Sequence, residues 1–438
     1  MNLNTLSIDR KYLFEQLCTE KKLLQGWREV RRNRGTSGSD GQTIETFEAQ
    51  LPEEIKRLRQ ELESWTYEPQ PVRRVEIPKP DSKTEVRELG VPCIRDRVVQ
   101  TTIKQLLEPI LEPQFSNSSF GFRPGRNQQQ AVEAAQKIVQ SGKKFIVDID
   151  LSKFFDRVNQ DRLLGRLGKI IEDKRILKLV GKMLRSGVMK DGVITPTTIG
   201  TTQGSPLSPL LSNLVLDELD KELEKRGLEH CRFADDCNIF AKTPKAAERI
   251  MKSISEFIEK KLKLVVNQAK SKVAESSLVK FLGMTIVDGT RAIAKKSIRR
   301  AMDKVKELTP RGTHQKLEDT IKQINSWYMG WSNYYSMTQY PSQLKGIEAH
   351  IRRRLRSRLV DQQKSRRNLF HKLLKRGVSR TRAAVTSFSN KKRWALSHTP
   401  ALELAYTNRW FIQEKNLQIR SSEKHNHWFD IKKWIRLT

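Results

Sequence analysis

The stretch HCRFADDCNIF, residues 230–240, sets two carboxylates, Asp235 and Asp236, side by side among mostly apolar neighbours. Taken alone it reads as a polar hairpin turn, because Asp tolerates turn geometry. A third carboxylate, Asp150, ends the run KKFIVDID at 143–150. Three carboxylates converging on one cleft repel one another strongly. Divalent cations between them remove that penalty. Mg²⁺ takes carboxylate oxygens and leaves positions open for substrate phosphate. Two such ions about 4 Å apart can activate an attacking hydroxyl and stabilise a leaving pyrophosphate. Nucleotidyl transfer needs this chemistry: positioned charge, with little covalent work by the protein.

The surrounding patterns predict elements that bring the three together. Residues 145–151 read as a β-branched strand, with Asp148 and Asp150 two apart and so on one face. Residues 200–227 read as a Gly-containing loop and then a helix, with Ser205 as N-cap, Pro206 at the first position and Gly227 as the stop. Residues 231–241 read as two short strands joined at 234–236, and 243–262 as a helix capped by Thr243. A further strand is expected at 278–287. The order strand, helix, strand pair, helix, strand predicts a split β-α-β sheet with helices on one face. Such a sheet places the end of one strand beside a neighbouring hairpin. Downstream, Leu317, Ile321, Ile324, Tyr328, Trp331 and Tyr335 form one helical stripe, and Leu344, Ile347, Ile351, Leu355 and Leu359 a second.

The 438 residues carry 83 Lys+Arg against 50 Asp+Glu, a net charge of +33 that points to a polyanionic partner, usually nucleic acid. The excess is uneven. Residues 291–438 hold 34 basic and 10 acidic side chains, against 49 and 40 in residues 1–290. A more balanced front part can fold around a site while a basic back part grips phosphates. No apolar run of 18 residues marks a membrane span, and no signal-peptide pattern opens the chain. The four cysteines lack CxxC spacing, which fits a reducing cytosol without a zinc or disulfide framework.

A series of motifs in order resembles the reverse transcriptase/maturase encoded by bacterial group II introns. RRNRGTSGSDG (31–41) is similar to that family's N-terminal extension, and RRVEIPKPDSKTEVRELGVP (73–92) and SFGFRPGRNQQQAV (119–132) to its fingers. VDIDLSKFFD, TTQGSPLSPLLSN, RFADDCNIF, NQAKSK and KFLGM follow the order of its palm, and INSWYMGWSNYY with HIRRRLRSR resembles its helical thumb. The implied fold is an α+β right-hand polymerase. It runs as N-terminal extension and fingers over 1–94, then a ferredoxin-like palm with remaining fingers elements over 95–290. A helical thumb, the maturase domain, spans 291–365, and a basic, DNA-binding-like segment spans 366–438. The implied activity is RNA-directed DNA synthesis in the bacterial cytoplasm, with binding of intron RNA to assist splicing and mobility. The implied partners are an RNA template, a DNA primer or target DNA, and dNTP.

Carried over by position, Asp150, Asp235 and Asp236 are the metal carboxylates for two Mg²⁺ ions, with Mn²⁺ a possible substitute. Asp150 is preferred to Asp148 because the family places an aromatic five residues after its catalytic Asp, and Phe155 fits; Asp148 is then a structural partner. Phe155 is the steric gate against a ribose 2′-hydroxyl, with Phe154 taking the core position. Lys79 and Arg87 match the basic residues that hold the triphosphate, and Gln203 and Gly204 line the nucleotide pocket. Lys270 resembles the lysine proposed to protonate pyrophosphate. Arg123 is read as a template or primer contact, with a fingers salt bridge equally open. Arg352, Arg353, Arg354 and Arg356 are the expected phosphate contacts, whereas Trp327, Tyr328 and Trp331 are helix-core residues first.

Three features depart from the family. Phe233 replaces the usual Tyr of Tyr-Ala-Asp-Asp, Thr202 replaces the Pro of Pro-Gln-Gly, and the fingers loop is slightly longer. The tripeptide His425-Asn426-His427 is too short for the nuclease whose name it spells, so no endonuclease domain is expected. A host-adopted relative working without an intron, a splicing factor with a dead polymerase site, and an RNA-directed RNA polymerase stay open as alternatives. The intact carboxylates argue against the second of these and Phe155 against the third.

Overall fold

The computed structural model describes residues 10–78, 86–190, 192–310 and 313–420. The chain forms two compact units, divided between Glu275 and Ser276. In the first, the helix Glu20–Asn33 starts where Thr19 accepts the Lys22 N–H, and it buries Leu23, Trp27 and Val30 at helical spacing. It packs on the helix Ile94–Leu111. That helix buries residues on every face, Asp96 and Arg97 included, as a central helix must.

Two sheets follow. Strands β1 (Val72–Pro78) and β2 (Val86–Val91) form an antiparallel hairpin. Strand β3 is Phe145–Ile149, β4 Val188–Lys190, β5 Val193–Thr195, β6 His230–Phe233, β7 Asp236–Ala241 and β8 Lys272–Glu275. One sheet runs β2-β1-β4-β5 and the other β6-β7-β3-β8. The second sheet is wholly antiparallel. The helix Ser208–Lys225 precedes β6, and the helix Pro244–Phe257 links β7 to β8. This is the ferredoxin-like β-α-β-β-α-β arrangement. Val147, Ile149 and Ile239 are at most 1 % exposed beneath the helices, each burial contributing about 1.5–3 kcal/mol.

The sequence expectation fails at the last strand. The fourth strand is Lys272–Glu275, not 278–287. Its four residues KVAE lie on a sheet edge and show no apolar run to mark them. Within 278–287, Leu282 and Gly283 take positive φ of 51° and 82°, which ends any extended run. Only Met284–Val287 is strand there (β9), paired with Thr290–Ile293 (β10) as a hairpin of the second unit. The helix start also moves. It begins at Ser208, with Pro209 in its first turn, the second of two Ser-Pro pairs. Ser205 instead donates its hydroxyl to Gln100 Oε1 at 2.9 Å. The Thr243 cap is as read: its side chain accepts the Ala246 N–H.

The second unit is helical after β10. Lys295–Leu308, Leu317–Tyr335 and Pro341–Asp361 are its long helices. Ile321, Ile324, Tyr328, Ile347, Ile351 and Leu355 meet in its core at 1 % exposure or less, so both stripes face inward. Four short helices between Arg366 and Ala405 complete it. No helix of the described residues is long and apolar enough to cross a membrane. His425–His427 lies outside the described residues.

Candidate active site

The carboxylates sit where β3 ends and β7 begins. The antiparallel register ends with Ile149 paired to Cys237, so Asp150 follows that last pair on one chain segment and Asp236 precedes it on the other. Strands β6 and β7 close through the two-residue turn Ala234–Asp235, since Phe233 pairs with Asp236. Ala234 stands at φ +57°, in the left-handed region that costs a side-chain-bearing residue about 1 kcal/mol. Such a conformation persists only when its surroundings over-determine it.

Those surroundings are a buried polar network absent from the sequence reading. Arg232, fully buried, donates to Ala234 O at 2.8 Å and forms a two-pronged bond with Asp220 at 2.8 and 2.5 Å. It also donates to Asn213 Oδ1 and Ser119 Oγ. The Arg232 charge holds the Asp220 carboxyl down at about 2 against the burial that would raise it. One signal was available: Arg232 lies in an apolar strand, and Asp220 sits between Leu219 and Leu223 on a buried helix. A charge at a core position demands a partner.

A second support comes from the segment Ser118–Gly121. Phe120 N–H donates to Arg232 O and Arg232 N–H to Ser118 O, both at 2.8 Å, so the segment runs beside β6 through a single β-bridge at Ser119. Gly121 then abuts the turn. A Cβ there would overlap Ala234 N and stand 2.9 Å from the Phe233 carbonyl carbon. Gly121→Ala must therefore displace the turn. The expected loss of primer-extending activity is about 100-fold, the penalty of an ångström-scale misplacement, in a protein that still folds but melts lower, since overpacking costs about 1–3 kcal/mol. Full activity in that variant would show the contact to be dispensable.

Electrostatics join the residues further. Burial raises the Asp235 carboxyl above its ordinary range, and the Asp150 charge adds to the rise, while Arg87 and Arg232 oppose it. Asp150 and Arg87 therefore both act on Asp235. Asp150 is fixed by its backbone: its N–H donates to Ser271 Oγ at 3.0 Å, and its carbonyl accepts the Asn267 N–H at 2.8 Å. Lys270 is exposed in the turn that Asn267 opens. Asp148 pairs across the sheet with Asn238 and Lys272. Among the described residues, no group of three or more His, Cys, Asp or Glu gathers tightly enough to hold a metal by itself. A hard cation fits this donor set only with further oxygens from water or substrate, which is how Mg²⁺ commonly binds.

The nucleotide-side residues surround the same turn of chain. Phe154 is buried, and Phe155 is half-buried with its ring edge-on to Phe154 at 5.2 Å. The Thr201 N–H donates to Phe155 O at 2.7 Å, tying the loop of Gln203 and Gly204 to the Phe155 backbone. Gln203 is half-buried and Gly204 exposed. Lys79 lies outside the described residues.

Four of the expected phosphate or template arginines make contacts within the fold. Arg123 makes a salt bridge, the second of the two readings left open for it: it is buried, paired with Glu112, bonded to the Ser116 and Ser119 carbonyls, and set over Phe115. In the second unit, Arg354 donates to Thr309 Oγ1 and O at 2.8 and 2.5 Å. Arg356 is 7 % exposed and donates to Tyr406 O at 3.0 Å. Arg353 lies on the Trp394 ring at 4.1 Å. Helical rotation turned these side chains toward carbonyls and rings inside the fold. Arg352, Arg353 and Arg356 nonetheless line one cleft of about 730 Å³ with His350, His398 and Arg409. Tyr328 is core, its hydroxyl donating to Glu348 at 2.7 Å.

Residues 77–286, which hold all three carboxylates, match the model for reverse transcriptase (RNA-dependent DNA polymerase). Residues 298–377 match that for the group II intron maturase-specific domain. Protein YkfC of Escherichia coli K12 is 33 % identical over 276 residues, covering 54 % of this chain and 72 % of YkfC. The chain belongs to the reverse transcriptase family. RNA-directed DNA polymerase is the enzyme class of that family, and the maturase-specific domain places the chain with its group II intron branch. The group II intron-encoded protein LtrA of Lactococcus lactis is 29 % identical over 402 residues, covering 72 % of this chain and 66 % of LtrA. The chain thus spans just under two thirds of that relative. A chain of a partial Cas6-RT-Cas1–Cas2 complex overlays at a TM-score of 0.37 with 25 % identity, covering 56 % of this reverse transcriptase and 42 % of that chain.

Proposed function

We propose that this reverse transcriptase extends a DNA primer on an RNA template by two-metal nucleotidyl transfer, and that it binds group II intron RNA to assist splicing. One observation carries the polymerase reading: Asp150 directly follows β3, Asp235 directly precedes its sheet neighbour β7, and the Asp150 charge acts on Asp235. Asp150, Asp235 and Asp236 would hold the metal. Mg²⁺, when bound, would supply activation of the primer 3′-hydroxyl and stabilisation of the leaving pyrophosphate. Arg87 would grip the triphosphate from β2, and Lys79 is given the same role by family resemblance alone. The Phe155 ring would exclude a 2′-hydroxyl, and Lys270 would deliver a proton to pyrophosphate. The second unit, with Arg352 and Arg353 in its basic cleft, would hold the RNA; the four-part division read from the sequence is retained as part of this proposal.

The test is primer extension on an RNA template with dNTP and Mg²⁺. Long cDNA supports the reading. No product, with RNA binding retained, favours a splicing factor with a silent polymerase site. Phe155→Val sharpens the test: rNTP incorporation should rise about tenfold or more relative to dNTP, since the gate works by steric exclusion. Unchanged discrimination removes Phe155 from that role. A second reading rests on Phe233 and Thr202, which depart from the intron family: a host-adopted polymerase without an intron. RNA recovered with the protein from cells separates the two.

A further inference from the structure

The loop of Gln203 touches the fingers as well as Phe155. The Gly90 N–H, in β2, donates to Gln203 O at 2.8 Å. Gly204 stands at φ +118°, and a Cβ there would lie 2.5 Å from Gly90 O. A Cβ on Gly90 would overlap Thr202 Cγ2 and stand 3.0 Å from Val72 Cγ2. Two glycines thus meet backbone to backbone, with the Thr202 methyl filling the remaining space. The loop is also anchored from the palm, by Ser208 Oγ donating to Thr202 O at 2.8 Å and by the Thr201–Phe155 bond. Gly90, Thr202 and Gln203 line one cleft of about 320 Å³ together with Arg74, Lys153 and Asp156.

We infer that Gly90 is a positioning residue for the nucleotide pocket, locking the Gln203 loop to the strand that carries Arg87. The inference rests on the reading that Gln203 and Arg87 contact the incoming nucleotide. Its physical content is registration. Arg87 is three residues before Gly90 on the same strand, so the seam sets the spacing between the triphosphate grip and the pocket lining. The Phe155 backbone joins the same assembly through Thr201. A side chain at position 90 would wedge the two apart without touching the carboxylates. The close packing also gives Thr202 a role particular to this chain: its methyl is the group a wedge must strike first.

The test is a double-mutant cycle in the full chain, with steady-state dNTP kinetics on a fixed primer–template. Gly90→Ala should raise the dNTP KM about tenfold with kcat changed less than about threefold. Gly90→Ala with Thr202→Ser, which deletes the struck methyl and keeps the hydroxyl, should recover most of that loss; Thr202→Ser alone completes the cycle. An equal KM rise on both backgrounds overturns the proposal, as does a fall in kcat with KM unchanged. Where Gly90→Ala fails to fold, Thr202→Leu drives a longer side chain at the same glycine from the loop side. It must then raise KM, and an unchanged KM overturns the proposal. Gln203→Ala with an unaltered dNTP KM would instead sink the pocket reading beneath it, whatever the cycle shows.

Discussion

Asp235→Asn is expected to lower primer extension by about 10³-fold or more, a barrier increase of about 4 kcal/mol, with RNA binding intact. The amide keeps the shape of the carboxylate, so packing at the turn is preserved. It removes the charge that a hard cation requires, and an amide oxygen is a poor replacement in a site that the protein does not close alone. Stability moves the other way. Asp235 is half-buried and repelled by Asp150, so neutralising it relieves a penalty, and the metal-free variant should melt no lower than wild type. Adding Mg²⁺ separates the two proteins again. A ligand that binds only the folded state raises its melting temperature, so wild type should gain and Asp235→Asn should gain less. Activity near wild type in the variant would remove Asp235 from the chemistry. Equal Mg²⁺ shifts would remove it from the metal site alone.

The division between what the sequence discloses and what it conceals is physical. The carboxylate hairpin, the strand leading to Asp150 (which ends at Ile149, two residues short of the reading) and the Thr243 cap were legible because each rests on local rules: period two, turn chemistry, capping. The edge strand Lys272–Glu275 was not, since four residues bounded by charges carry no periodic signal and pair only because β3 offers an edge. The arginines of HIRRRLRSR show the same limit. Spaced over two turns they point round the whole helix, and which of them meet solvent depends on Thr309, Trp394 and Tyr406, elsewhere in the chain. The support beneath the hairpin was hidden for a related reason. Ser119, Asn213, Asp220 and Arg232 are far apart in sequence and converge only once the palm is built.

That convergence makes the second large expectation. Arg232→Met should destabilise the protein by about 3–5 kcal/mol, because it leaves Asp220 charged, buried and deprived of its main partner. The pair titrates in a defined window. Asp220 drops from an ordinary 3.8 to about 2 in the folded state. Its stabilising contribution, about 2 kcal/mol, is present above the unfolded value and lost as pH falls through about 2. The melting-temperature gap between wild type and Arg232→Met should therefore narrow under acid, as the stranded carboxylate protonates. Replacing both charges, as Arg232→Met with Asp220→Leu, should recover most of the stability, since an apolar pair of similar volume substitutes well for a buried ion pair. It should not recover polymerisation. The hydrogen bond from Arg232 to the carbonyl of Ala234 is still gone, and with it one restraint on a turn whose left-handed residue needs restraining. A folded double variant with weak primer extension would assign the network to holding the carboxylates. A folded double variant with full activity would confine it to stability, leaving Gly121 and the bridged segment Ser118–Gly121 to hold the turn alone.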